Sequence, residues 1–166
     1  VGDRCGWGRV CRRHDGLTLC RGNGPPSLAS YLHCGSGGMA TVDQDGLKRA
    51  LDVVADVVRR YDIEGVHMDD YFSPYPENNL EFPDDATYRQ YGAGMSKDDW
   101  RRDNINRFVQ NLYTSVKSIK PNVEVGISPF GIWRPGYQRQ IKGLDSYEAV
   151  YSDWRQWIRC GSVEEW

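Results

Sequence analysis

The stretch Ile63-Glu64-Gly65-Val66-His67-Met68-Asp69-Asp70-Tyr71-Phe72 decides the fold class of this chain. Its apolar residues suit a short strand that is buried on both faces, as in a parallel sheet. The strand ends in two adjacent carboxylates, which are costly there unless they are paired, solvated or used. In α/β barrels, the carboxyl ends of the strands carry the catalytic groups. The stretch therefore predicts a barrel-type strand that leads into a functional site.

The two acids differ in the face that they occupy. Side chains alternate along a strand, so His67 and Asp69 share one face and Asp70 lies on the other. If the Val66/Met68 face packs against helices, the first face points into the barrel mouth. We therefore expect Asp69 to be the catalytic acid, with Asp70 as the second candidate. The alternative is structural, with Asp69 in an ion pair and Asp70 capping a loop.

A second strand repeats this design further along the chain. Apolar residues alternate through 123–127, and Ser128 follows with the parity of the inward face. Trp133 and Arg134 in the next loop suit contact with a sugar, because they supply a flat aromatic face and a fixed fork of donors. The alternative is that Trp133 closes the local core.

A long irregular stretch leaves the strand that carries the acids. Structureless loops of this length in compact domains are usually functional or disordered. We expect this loop to lie over the site, and we interpret Asp84 and Asp85 as solvated loop charges. The residues near its start that we expect to contact a substrate are Tyr71, Tyr75 and Glu77.

Residues 1–40 differ in composition from the rest of the chain. They are rich in Gly, Arg and Cys, without a sustained apolar period. This predicts an irregular segment, or one translated from the wrong reading frame. From Thr41 onward helices and strands alternate, as in βαβ units. We therefore predict an α/β fold in which residues 41–166 form a partial (β/α)8 TIM-barrel domain, since a whole barrel takes about 250 residues.

Composition excludes several classes of partner. The 166 residues carry a formal net charge of -2, so nothing marks a surface for nucleic acid. No apolar run approaches the roughly 20 residues of a membrane span, and no signal peptide is visible. The cysteines lack the paired spacing of a zinc site, and we expect neither a metal nor another cofactor.

Five blocks occur in a specific order along the chain: Leu51–Val54, Asp56–Asp62, Gly65–Phe72, Trp100–Asn104 and Gly126–Arg134. With these blocks the chain resembles the glycosyl hydrolase-like 10 family of bacterial envelope proteins over about residues 46–166. The resemblance implies a TIM-barrel-like domain and export to the periplasm, the cell surface or the medium, often as a lipoprotein. It also implies glycan hydrolysis, with peptidoglycan-type strands as a candidate substrate. Further barrel strands would be expected on both sides, so we interpret the chain as a fragment that is inactive alone.

These observations favour a glycoside hydrolase that acts on cell-wall-type or other polysaccharide glycans. Such chemistry needs two carboxylates across the scissile bond. Asp69 supplies one, and the second could be Asp70, Glu77 or a residue outside the chain. Two alternatives stay open. One is a glycan-binding barrel without turnover, and the other is a metal-assisted hydrolase with His67, Asp69 and Asp70 as ligands.

Overall fold

The computed structural model describes residues 4–5, 9–14, 17–21, 30–34, 44–69, 72–73, 82–92, 94–136 and 139–163. Before Leu47, and at Asp69, it describes the backbone alone. In chain order the elements are β1 (Arg4–Cys5), β2 (Arg9–His14), β3 (Leu17–Arg21), β4 (Ser30–Cys34), α1 (Gln44–Arg60), β5 (Gly65–Asp69), α2 (Asp85–Tyr91), α3 (Lys97–Ile119), β6 (Glu124–Ser128), α4 (Ser146–Ala149) and α5 (Trp154–Arg159).

The strands form one sheet in the order β1 to β6. The first four are antiparallel neighbours, whereas β4, β5 and β6 run parallel. In chain order, α1 lies between β4 and β5, and α3 lies between β5 and β6. A helix between neighbouring parallel strands is the βαβ arrangement. The predicted α/β class is confirmed, while the (β/α)8 barrel stays a prediction because the described part of the chain has three parallel strands rather than eight.

Strands β1 to β4 lie within residues 1–40, which the sequence predicts to be irregular, and the character of that segment as a whole stays a prediction. His14 of β2 pairs with Leu17 of β3, so only Asp15 and Gly16 separate the two strands. Asp-Gly is a dipeptide that favours tight hairpins, and this local signal outweighs the unusual composition. The domain division at residue 40 and the reading-frame alternative stay predictions.

The core lies between the sheet and the two long helices. Val66 and Met68 of β5 are buried, and so are Val125 and Ile127 of β6. This is the strand face that the sequence assigns to the helix layer. The buried helical residues recur at separations of three, four or seven positions, which places them on one face of each helix. They are Leu47, Val54, Val58, Ile105, Phe108, Val109, Leu112 and Val116.

The start of α3 is fixed by a helix cap. Ser96 is the N-cap residue, and its Oγ accepts a hydrogen bond from the backbone N–H of Asp99 at 3.1 Å. The cap satisfies one of the N–H groups that a helix leaves without an intrahelical partner. In a βαβ unit, this end of the helix lies at the same edge as the carboxyl end of the preceding strand. The first turn of α3 is therefore placed beside the segments that leave β5 and β6.

Candidate functional site

The carboxyl ends of β5 and β6 lie side by side. His67 pairs in register with Gly126, and Asp69 pairs with Ser128. His67 Nε2 and Ser128 Oγ are 2.9 Å apart, and both side chains are half-buried. Two residues to which the sequence assigns the inward face thus contact each other across the strand pair.

The other predicted residues of this strand and loop are described in part or not at all. The backbone of Asp69 ends β5, and its side chain lies outside the described part of the chain. Asp70, Tyr71, Tyr75 and Glu77 also lie outside the described residues. The catalytic and binding roles of these five residues stay predictions.

The chain that leaves β5 is anchored in the core soon after the strand ends. Phe72 is 6% exposed. Its ring meets the rings of Phe108 and Trp157 edge-on, with both centroid distances at 5.7 Å. Such contacts add to the free energy gained by burial of the ring. Phe72 therefore fixes the beginning of the loop against α3 and α5.

Asp84 is a buried charge, so its interpretation as a solvated loop residue is wrong. Its side chain is fully buried against Arg101 of α3. The Nε and Nη2 atoms of Arg101 donate to the two carboxylate oxygens, each at 2.6 Å. Lys97 Nζ lies 3.0 Å from the same carboxylate. Asp85, by contrast, is 74% exposed and therefore solvated as expected, although it is the first residue of α2 rather than part of a loop.

Arg101 also contacts the segment that follows β6. Its Nη1 donates to Tyr151 Oη at 2.6 Å, and its guanidinium carbon lies 5.0 Å from the centroid of that ring. Tyr151 has a φ of 55°, a left-handed conformation that is costly for a residue with a side chain. One side chain of α3 therefore binds the segments that leave both site strands.

Burial and neighbouring charges determine the protonation states of Asp84, Arg101 and Tyr151. Burial disfavours the ionised carboxylate of Asp84, but hydrogen bonds and charges from Arg101 and Lys97 outweigh burial and hold its pKa below the ordinary value. Burial disfavours the charged guanidinium of Arg101, and Asp84 outweighs that effect, so the pKa of Arg101 is raised. Burial raises the pKa of the Tyr151 phenol. At neutral pH the pair is therefore ionised and the phenol is protonated.

Trp133 and Arg134 lie in a cluster of aromatic and charged side chains beside α4. Trp133 Nε1 donates to Asp153 Oδ1 at 3.1 Å, and its ring meets the Tyr147 ring edge-on at 5.6 Å. Arg134 Nη2 donates to Glu148 Oε1 at 2.8 Å. Trp133 is half-buried, so the contacts fit either a rigid platform for a ligand or a local core. The predicted binding role of both residues stays open.

Arg101 and Arg102 lie beside the candidate site, although they are not among the site residues that the sequence predicts. Arg102 Nη1 donates to the carbonyl oxygen of Tyr147 at 3.1 Å, and its guanidinium carbon lies 4.2 Å from the centroid of that ring. A sequence signal exists for Arg101, because it lies four and seven residues before the core residues Ile105 and Phe108. A charge at core spacing near the start of a helix indicates a buried partner.

Metal binding and membrane insertion can be assessed for part of the chain. Among the described side chains, no group of three His, Cys, Asp or Glu comes together in a way that could hold a metal ion. Asp70 and the side chain of Asp69 fall outside that set, so the metal-assisted alternative stays open. None of the helices that the structure describes is long and apolar enough to cross a membrane.

Known proteins match most of the chain. The family model described as glycosyl hydrolase-like 10 matches residues 48–166. The chain belongs to this family. The glycosyl hydrolase YngK of Bacillus subtilis (strain 168) is 44% identical over 130 residues, which cover 72% of this chain and 26% of YngK. The glycosyl hydrolase DigH of Escherichia coli (strain K12) is 40% identical over 118 residues, which cover 68% of this chain and 26% of DigH.

The match has two consequences for the glycosyl hydrolase-like 10 segment. It confirms the resemblance that the five sequence blocks indicate, and it includes β5, α3 and β6, which form the candidate site. The chain spans about a quarter of the length of these curated relatives. The activity of the whole protein is therefore a matter for proposal.

We predict that Asp84→Asn strongly destabilises a full-length protein that contains this segment. The substitution removes the two short contacts that compensate the buried charge of Arg101, and removal of one partner from a buried pair typically costs about 3–5 kcal/mol. Asp85→Asn is the matched control, because it removes the neighbouring carboxylate that also contacts Lys97 but is exposed. We expect a large fall in the urea midpoint for Asp84→Asn and little change for Asp85→Asn. Equal effects would contradict the assignment.

The same pair predicts a dependence of stability on acid. The pKa of Asp84 is lower in the folded state than its ordinary value of 3.8, so its contribution is fully present above that value. The contribution is lost as the pH falls through the folded-state pKa. We therefore expect the urea midpoint to fall less steeply with acid in Asp84→Asn than in the parent. The measurement covers the range from roughly pH 6 to pH 2, in which carboxyl groups titrate. Parallel curves would argue against an ionised pair.

Proposed function

We propose that the protein to which this segment belongs is a glycoside hydrolase, with Asp69 as a catalytic carboxylate and Asp70 as the second candidate. One observation carries the proposal: Asp69 ends β5 directly opposite Ser128 at the end of β6, two residues after His67. The carboxyl ends of parallel strands are where barrel enzymes place their chemistry. Membership in the glycosyl hydrolase-like family supports a glycosidic bond as the target.

The proposed mechanism needs a partner for Asp69. One carboxyl group protonates the leaving oxygen, and the other acts as a base or as a nucleophile. The candidates for the second group are Asp70, Glu77 and a residue outside this chain. Adjacent residues of a strand point to opposite faces, so Asp69 and Asp70 do not suit the two sides of one bond. The separation of the two carboxyl groups will decide whether the product retains or inverts its configuration.

The proposed substrate is a polysaccharide, with peptidoglycan-type strands as one case. A closed TIM barrel would present Trp133 and Arg134 beside the strand ends, where a tryptophan ring can stack on a sugar and a guanidinium can bind its hydroxyl groups. We place the activity outside the cytoplasm, in the periplasm, at the cell surface or in the medium. The support for this location is the resemblance to envelope proteins.

A second candidate function is glycan binding without turnover. The observation that favours it is the pair of contacts around Trp133, whose ring is hydrogen-bonded to Asp153 and packs edge-on against Tyr147. A fixed aromatic platform serves binding whether or not a carboxylate pair is present. In that case Asp69 would only accept a hydrogen bond from a sugar hydroxyl.

We predict that Asp69→Asn lowers glycan hydrolysis by several orders of magnitude in a folded full-length protein, because one catalytic carboxylate is lost. Release of reducing ends from peptidoglycan strands and from a panel of polysaccharides is the measurement. Asp62→Asn is the matched control, since Asp62 is exposed and lies just before the amino end of β5. If Asp69→Asn retains the parent turnover, Asp69 is not catalytic, and Asp70→Asn is then the variant to measure.

We predict that Trp133→Ala raises KM about fivefold, because stacking of an aromatic ring contributes roughly 1 kcal/mol. The melting temperature should change less than in Trp157→Ala, which removes a ring that is 2% exposed and packs in the core. Trp157→Ala should in turn leave KM close to that of the parent. A large fall in melting temperature with an unchanged KM for Trp133→Ala would assign Trp133 to the local core.

A further inference from the structure

One hydrogen bond joins the two site strands through their side chains. His67 Nε2 and Ser128 Oγ are 2.9 Å apart, and both groups are half-buried. On β6 the residue directly opposite His67 is Gly126, which is buried, and on β4 it is His33. Because glycine has no side chain, the paired position on β6 leaves room on that side of the imidazole. It can therefore lean toward the diagonal position, which is that of Ser128.

The hydrogen bond lies beside the position of the proposed catalytic acid. Ser128 is the register partner of Asp69, and His67 precedes Asp69 by two residues on the same strand. Positions two apart on a strand share a face and are separated by roughly 6.6 Å. Positions 67, 69 and 128 therefore form one patch at the carboxyl end of the sheet.

A hydrogen bond to one ring nitrogen controls the chemistry of the whole imidazole. A neutral histidine carries its proton on one of two nitrogens, and the hydrogen bonds of the ring select which one. The Ser128 hydroxyl can donate to Nε2 or accept from it. Each arrangement corresponds to one tautomer, and in both the hydrogen bond fixes the orientation of the ring.

We propose that Ser128 is a positioning residue, which holds His67 in one orientation and one tautomer beside Asp69 so that His67 contacts the glycan in a fixed geometry. The part that concerns the glycan rests on the proposed function. The part that concerns the imidazole does not, and the two are measured separately. A purely structural hydrogen bond would affect the stability of the sheet but not the coupling between His67 and turnover.

The first measurement is nitrogen NMR of a full-length protein with labelled histidine, in which the His67 signals are identified by their loss in His67→Gln. We expect a single dominant tautomer of His67 in the parent and in Ser128→Thr, which keeps the hydroxyl. Ser128→Ala should give a changed or mixed tautomer. Ser118→Ala, which removes an exposed hydroxyl on α3, should match the parent. A tautomer that Ser128→Ala leaves unchanged would overturn the proposal.

The second measurement is a double-mutant cycle on kcat and KM. Ser128→Ala should lower kcat/KM by roughly tenfold, as expected for loss of one orienting hydrogen bond, and Ser128→Thr should restore most of it. In the His67→Gln background, Ser128→Ala should have no further effect, because it acts through the imidazole. Independent, multiplicative losses would overturn the positioning role. Full activity of Asp69→Asn would refute the proposed catalytic role of Asp69 and leave the NMR result unaffected.

Discussion

The buried pair between Arg101 and Asp84 is the interaction on which the arrangement of the carboxyl end depends. Removal of two charges from water costs several kcal/mol for each, so such a pair persists only when its geometry and its other hydrogen bonds are good. Here the carboxylate accepts two bonds from one guanidinium, and Lys97 and Tyr151 complete the cluster. The helix that packs across β5 and β6 thereby also holds the segments that leave both strands.

The two faces of the parallel strands divide stability from chemistry. Val66 and Met68 face the helices and belong to the core, whereas His67 and Ser128 contact each other in the half-buried patch at the strand ends. Alternation along a strand makes this division possible within five residues. The core can therefore be packed tightly without apolar side chains filling the patch that we propose as the site.

Local sequence patterns predict β5, β6 and α3, because the spacing of apolar residues within each element specifies its secondary structure and its buried face. The alternation through 123–127 specifies a strand, and the helical spacing from Ile105 onward specifies the buried face of α3. No local sequence pattern indicates that Asp84 is buried. Its partner Arg101 lies 17 residues away, and Arg101 contacts Tyr151 another 50 residues along the chain. Pairing at that separation depends on tertiary structure. The N-terminal strands have only short alternation and an Asp-Gly dipeptide as local signals, within a segment that is rich in Gly, Arg and Cys.

The left-handed backbone at Tyr151 couples detachment of the segment that follows β6 to detachment of the segment that follows β5. This conformation costs about 1–2 kcal/mol for a residue with a side chain, so the bond from Arg101 acts against a backbone that relaxes when the bond breaks. If Asp84 moves away from Arg101, the guanidinium loses the contact that fixes it. The hydrogen bond from Arg101 to Tyr151 then weakens as well. The segments that follow β5 and β6 therefore open as one cooperative unit rather than one at a time.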